Sequence, residues 1–235
     1  MMKKFIILPT YNEKDNLADL IKAILNLQIV DLHIMVIDDN SPDGTGAIAD
    51  QLSQTHPEVT VIHRAGKMGL GSAYIAGFKK ALALGADYVF EMDADFSHNP
   101  KEIPNFIKAM QAGYDVVIGS RRIPDGGILN WGVLRNSMSK GAMWFSRLVL
   151  GLKTKDVTSG FRCYSRQVIE KIDWQKVKSN GYSFQEETIF LCEKLGFRVK
   201  EIPIIFRDRV KGRSKLSRTE ILNFFLTILR LRFKK

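Results

Sequence analysis

The sequence predicts an α/β fold: an open, mostly parallel sheet flanked by helices, followed by a C-terminal amphipathic helix. Two observations carry this expectation. Short apolar runs alternate with segments of helical periodicity through the first half, and the runs are continuously apolar, as strands covered on both faces are. Each run also ends in residues rich in Asp, Arg, Gly and Pro: "LPTYNE", "VIDDNSPDGT", "IHRAGKMGLGSA", "FEMDADFSHNP" and "IGSRRIPDGG". In a doubly wound sheet these exits share one edge, the edge at which such sheets bind ligands.

The elements follow in chain order. "KKFIIL" is a strand over residues 3–8. A helical pattern over 15–27 leads to the strand "LHIMVI" over 32–37. A helix over 45–55, entered through the turn residues "NSPDGT", precedes the strand "VTVIH" over 59–63. A helix over 69–84 then leads to "YVFEM" over 88–92, and a helix over 101–112 to "DVVIG" within 115–119. Beyond Gly127 the pattern is less regular: a helix over 135–150, the segment "DVTSGFRCY", a helix over 183–195 and a strand over 199–206. No Ser/Gly linker, internal repeat or low-complexity stretch interrupts the chain. Residues 1–216 are therefore expected to form one domain, with 217–235 as an apolar and basic helix.

Composition narrows the class. With 235 residues, 45% of them hydrophobic and 26% charged, the chain has the make-up of a globular domain rather than a disordered one. "MMKKF" carries the lysines of a signal peptide, but its apolar run ends at Leu8, so a cytoplasmic protein is expected. Cys163 and Cys192 form no CxxC or zinc spacing and read as two reduced thiols. The net charge of +10 is uneven: residues 198–235 hold twelve basic residues against three acidic ones, a net +9. Such a tail suits a membrane surface or phosphorylated ligands. No zinc finger, helix-turn-helix or aromatic-interleaved basic stretch points to nucleic acid.

The strand exits carry the chemistry. Asp93 and Asp95 lie one residue apart, and in extended backbone residues i and i+2 face the same side. Two carboxylates so placed can hold Mg²⁺ or Mn²⁺, whose remaining ligands are substrate phosphates and water. The same residues also suit a plain Asx turn ahead of Pro100. Asp39 can accept hydrogen bonds from a nucleotide, while "NSPDGT" makes a turn and helix cap. "GKMGLGSA" resembles a phosphate loop but lacks the Gly-Lys-Ser/Thr ending and a third glycine, so close strand–helix approach is the expected reason for its glycines. Arg121 and Arg122, then Arg135, and Arg209 and Lys215 in "RVKGRSKL" supply cations suited to phosphate. Combined with an acidic metal site, they point to a diphosphate-bearing substrate.

Together, "LPTYNE", "IDDNSPDGT", "GLGSAY", "MDADFSHNP", "GSR", "DVTSGFR" and "GRSKLS" resemble the GT-A-type inverting glycosyltransferases, most closely the polyprenol (dolichyl) phosphate mannose synthases. The resemblance runs over most of residues 3–220. It implies a GT-A-type fold and nucleotide-sugar binding by Pro9, Tyr11, Glu13, Ile37, Asp39, Asp93, Ala94, Asp95, Arg121, Arg209 and Lys215. It implies a metal held by Asp93, Asp95 and Ser97, and catalytic roles for Asp95, Arg121, Arg209 and Lys215. Arg121, Arg135 and Arg162 are then the expected partners of the acceptor phosphate. The implied reaction moves mannose from GDP-mannose to a polyprenyl phosphate with inversion. An acceptor that is already an anion needs no strong general base; a sugar hydroxyl would need one, with Asp156, Glu186 and Glu187 as candidates. The alternatives are a UDP-glucose:undecaprenyl-phosphate glucosyltransferase, a transferase acting on a saccharide, and a nucleotide-binding module without chemistry.

Many such relatives continue into transmembrane helices, and this sequence does not. Its last segment opens with the capping-box pattern Ser217-x-x-Glu220. A helix over 219–231 would be about 20 Å long, short of the roughly 30 Å hydrocarbon core. Its apolar residues nearly encircle it and Arg230, Arg232, Lys234 and Lys235 follow, which suits an interfacial anchor on anionic lipid; packing on its own domain is the other reading. Whether a separate membrane subunit assists is left open.

Overall fold

Along β1 (Lys4–Thr10) successive side chains point to opposite faces, and both faces are covered. Phe5 and Ile7 face one hydrophobic core, Ile6 and Leu8 another, all at most 2% exposed. The computed structural model describes residues 2–179, 181–208 and 218–233. After β1 come α1 (Leu17–Leu25), β2 (Leu32–Asp38), α2 (Thr45–Thr55), β3 (Val59–His63), α3 (Leu70–Ala83) and β4 (Tyr88–Glu91). A short 3₁₀ turn (Pro100–Glu102) leads into α4 (Ile103–Gln111), β5 (Val116–Ser120), β6 (Gly127–Leu129) and α5 (Val133–Leu150). The chain continues through β7 (Arg162–Ser165), α6 (Arg166–Lys171), α7 (Tyr182–Lys194), β8 (Val199–Pro203), β9 (Ile205–Arg207) and α8 (Arg218–Phe233).

Seven strands form one sheet in the order β3-β2-β1-β4-β7-β5-β8, parallel except for β7. The expected open, mostly parallel architecture is therefore present. The first core packs α3, α6 and α7 against one face, and the second packs α1 and α4 against the other. Strand order reverses between β1 and β4, so their C-terminal ends flank the switch point where open sheets bind ligands.

Two glycines within α3 serve close approach, whereas ahead of it Gly66 meets nothing and Gly69 has φ +96°. A Cβ on Gly77 would lie 2.6 Å from Ile7 of β1, and one on Gly71 2.6 Å from the Phe184 ring.

Several features depart from the expected elements: β1 runs on through Pro9 to Thr10, and β6 and α6 fill segments given no element. "FRCYS" supplies β7, an antiparallel strand wedged between β4 and β5, where the sequence offered no assignment. The single strand expected over 199–206 is two: Ile204 turns into the core at 3% exposure, β8 pairs with β5, and β9 pairs with β6 as a separate two-stranded ribbon. The last helix packs on α5 and α7. It buries Phe224, Ile228 and Leu231 against the domain while Phe225, Leu226, Leu229 and Phe233 stay exposed. Among the described residues no helix is long and apolar enough to cross a membrane.

Candidate active site

The exits of β1 and β2 are stitched together by short polar side chains. Asp38 accepts hydrogen bonds from the Thr10 hydroxyl (3.1 Å) and the Ser41 hydroxyl (2.6 Å). The Glu13 N–H donates to Thr45 Oγ1, and the Lys14 N–H to Asp43, whose other oxygen caps Thr45. These bonds fix the loop carrying Tyr11 and Glu13 at the switch point. Pro9, Tyr11 and Glu13 are partly exposed there, and Lys67 lies over the Tyr11 ring at 4.6 Å.

Asp39 is also at this edge. Burial pushes its carboxyl up, partly offset by Arg64, which pairs with Oδ1 at 3.0 Å, and by the Met68 N–H, which donates to Oδ2. The backbone of the glycine-containing loop thus binds a carboxylate. Ile37, expected to contact the nucleotide, is fully buried in the core.

The acidic pair lies just beyond β4. Met92 still donates to the Ile7 carbonyl, and the chain then bends, with Phe96 at φ +60°. β4 ends at Glu91 and the chain bends over 94–98, so the acidic pair lies beyond the strand rather than on it. Asp95 is 6% exposed and its Oδ1 accepts the Ser97 N–H at 3.0 Å, whereas the Asp93 side chain is 31% exposed. Gly160 brings its backbone against Asp93: a Cβ there would lie 3.5 Å from Oδ2. Ala94 is buried. The residues present fit a hard divalent cation: Asp93 and Asp95 supply carboxylates, and the hydroxyl of Ser97, whose N–H donates to Asp95, is buried without a hydrogen-bond partner. Among the described residues no cluster of three or more His, Cys, Asp or Glu could hold an ion unaided. The remaining ligands of such an ion would come from phosphate and water.

The arginines divide sharply. Arg121 is 8% exposed and binds Asp156 through Nε (2.8 Å) and Nη2 (2.7 Å), while its backbone N–H reaches the same carboxylate at 2.8 Å. Its guanidinium also lies 5.3 Å from the Phe206 ring. Arg162, expected to meet an acceptor phosphate, is a correction: it is fully buried and donates to the carbonyls of Ser159, Val157 and Gln185, bracing the "DVTSG" loop. An interior guanidinium is tolerable because three carbonyls accept from it. Arg135 is the partly exposed member of the three, stacked 3.9 Å from Trp131 and paired with Asp208 at 2.6 Å. Arg209 and Lys215 lie outside the described residues.

The candidate bases are all committed elsewhere. Burial alone would raise the Asp156 carboxyl, but Arg121 outweighs it and holds it below the usual range. Glu187 accepts from the Ser179 hydroxyl and from Arg230 of α8, at 2.6 and 2.7 Å. Glu186 accepts from the Ser146 hydroxyl at 2.5 Å, and burial pushes it up to about 8. Between about 4.5 and 8 the folded protein retains a proton on Glu186 that the unfolded chain has released, so this group's contribution to stability falls as pH rises. Glu186→Gln is expected to raise Tm at pH 8.5 by roughly 2–8 °C, about 1–2 kcal/mol, and to leave it unchanged at pH 5. Calorimetry at the two pH values checks this; equal shifts at both would refute it.

A hollow of about 950 Å³ opens near the N-terminal ends of β5 and β8 and the last turns of α5 and α7. It gathers none of the predicted site residues, which lie instead at the strand exits. Sequence reasoning missed Arg64, His98, Trp131 and Phe206. Arg64 and His98 lay within quoted strand exits but in no recognisable spacing, Phe206 sits in a ribbon too short to detect, and Trp131 follows the ribbon's other strand.

The family model described as glycosyl transferase family 2 matches residues 5–173. The chain is 46% identical over 220 residues to a polyprenol monophosphomannose synthase of Mycolicibacterium smegmatis, covering 93% of this chain and 83% of that one. It is 42% identical over 216 residues to an undecaprenyl-phosphate mannosyltransferase of Micrococcus luteus, covering 92% and 88%. Among solved structures, glucosyl-3-phosphoglycerate synthase of Mycobacterium tuberculosis, in complex with Mn²⁺, UDP-glucose and phosphoglyceric acid, superposes with a TM-score of 0.72 at 18% identity. It covers 98% of this chain and 80% of that one, and shares its GT-A-like fold. With the sheet, the switch-point carboxylates and these likenesses together, the chain belongs to glycosyl transferase family 2 and is a glycosyltransferase.

Proposed function

We propose that the enzyme transfers mannose from GDP-mannose to a polyprenyl phosphate, with inversion, at a membrane surface. The observation that carries the reading is the pair of relatives above 40% identity, both named for mannosyl transfer to a phosphorylated polyprenol. Asp95 and Asp93, with Ser97, would hold Mg²⁺ or Mn²⁺, and the Mn²⁺ bound with a nucleotide sugar in the distant structural relative is in keeping with that. Such an ion supplies charge stabilisation to the diphosphate leaving group. Tyr11, Glu13 and Asp39 bind the nucleotide, and Arg209 and Lys215 the diphosphate. Arg135, at the start of α5, orients the acceptor phosphate. Arg121 acts indirectly, holding the loop of Asp156 beside the site.

A lipid acceptor also gives a reason for the apolar surface. Val133, Leu134, Met138, Trp144 and Leu148 of α5 are 58–85% exposed, and the Phe145 and Phe225 rings meet at 5.4 Å to join this surface to the outer face of α8. Isolated exposed apolar residues are ordinary, but a two-helix face of them marks an interaction site. Exposed Lys140 and Arg232 favour an anionic leaflet. Leu226→Glu with Leu229→Glu is expected to cut flotation with anionic vesicles at least tenfold while leaving GDP binding intact; undiminished flotation would refute the docking face. These point changes test it better than removing α8, which would uncover Glu187.

The reaction is tested by incubating the protein with Mn²⁺ or Mg²⁺, a polyprenyl phosphate and labelled GDP-mannose, GDP-glucose or UDP-glucose. Label entering the organic phase from GDP-mannose alone, and stopped by chelator, is the expected result. Transfer only from UDP-glucose, or only to water-soluble acceptors, overturns the reading.

A further inference from the structure

His98 follows Ser97 and belongs to none of the roles above. It is 1% exposed, and neither of its ring nitrogens makes a hydrogen bond. Buried polar groups are nearly always paired, so an imidazole in this position calls for a reason. Its Nε2 lies 3.5 Å from Asp93 Oδ2, just beyond a good hydrogen bond. The ring is clasped by aromatics: Phe161 packs on it at 5.1 Å, and Phe206 meets it edge-on at 5.6 Å. Both walls are held in place. Phe161 immediately precedes β7, and Phe206 belongs to β9, whose Arg207 N–H donates to the Ser97 carbonyl at 3.3 Å. The imidazole therefore has little room to turn away, and a small movement of the partly exposed Asp93 side chain closes the gap.

We propose that His98 is the positioning residue for the metal-binding carboxylate Asp93. Nε2–H donates to Oδ2 and fixes the carboxylate's rotation, so that its other lone pairs face the cleft. This rests on the reading of Asp93 as a metal ligand. A histidine meets both demands of the position, with an apolar ring body that fits between Phe161 and Phe206 and an N–H on the edge that faces the carboxylate. The ring is closed off from solvent and has Nε2 toward the Asp93 carboxylate, which assigns it to orienting the ligand rather than to binding the ion. Donors that orient metal-ligating groups typically change metal affinity by about 10–100-fold.

The test is a Mn²⁺ titration of the full chain with saturating GDP, followed by calorimetry or by the spin signal of free Mn²⁺. His98→Phe keeps the ring packing and removes the N–H. It is expected to weaken Mn²⁺ binding by about 10–100-fold, to leave metal-free GDP affinity unchanged, and to recover wild-type kcat at high Mn²⁺. His98→Gln, which restores an N–H donor, is expected to recover part of the affinity. In an Asp93→Asn background His98→Phe should have little further effect. Wild-type Mn²⁺ affinity in His98→Phe overturns the proposal. So does a loss that His98→Gln does not relieve and that persists in the Asp93→Asn background, since that would be a packing effect. Wild-type protein that binds no Mn²⁺ with GDP overturns the metal reading of the acidic pair, and this proposal with it.

Discussion

Asp95→Asn is expected to lower kcat/KM for sugar transfer by roughly 10³-fold while the protein melts as the wild type does. Asparagine keeps the size of the side chain and an oxygen that can accept the Ser97 N–H, so the turn after β4 survives. What it removes is the negative charge. If that charge holds a cation against a diphosphate, its loss forfeits several kcal/mol of stabilisation on the departing group. At about 1.4 kcal/mol per decade, roughly 4 kcal/mol gives the stated factor. Side-by-side kinetics and calorimetry separate this from misfolding. Activity within tenfold of wild type in a properly folded Asp95→Asn protein would remove the acidic pair from the chemistry.

The second large effect is on stability. Asp156 is fully buried and receives three bonds from Arg121, two from the guanidinium and one from the backbone. Asp156→Asn leaves the Arg121 cation buried without its counter-charge. Breaking one side of such a pair costs about 3–5 kcal/mol, and in a protein of this size that corresponds to a Tm lower by roughly 6–20 °C. Replacing both partners with apolar residues, as in Arg121→Met with Asp156→Leu, is expected to melt above the single variant, because no lone charge remains inside. A single variant that melts within 2 °C of wild type, on the order of 1 kcal/mol or less, would show that the pair matters little to the fold.

The sequence foretold some of this architecture, for identifiable reasons. Strands such as "KKFIIL" and "LHIMVI" are covered on both faces, and continuous apolar runs state that directly. β7 was illegible because it is four residues long and begins with Arg162, whose burial depends on carbonyls supplied by residues 157, 159 and 185. β6 and β9 have three residues each, below the length at which periodicity can be judged. In the site, the strand-exit residues could be named because strand ends are where such sheets do chemistry. The arginines could not be sorted by type. An arginine that grips Asp156, 35 positions along the chain, reads in sequence like one that awaits a phosphate. His98 gave no signal, because its meaning lies in two phenylalanines that arrive from distant segments.

The antiparallel strand also bears on the order of assembly. β4 and β5 do not pair with each other, and β7 is the strand between them, yet it is encoded some 70 residues after β4. Until Arg162–Ser165 has left the ribosome, the emerging chain can pair β3, β2, β1 and β4 but has no strand through which β5 can join that sheet. Closing that long span carries an entropic cost that local contacts do not offset, so the wedge is expected to be among the late and slow events of folding. A polypeptide cut before residue 162 would keep its aspartates and lose the seam that makes its two halves one sheet.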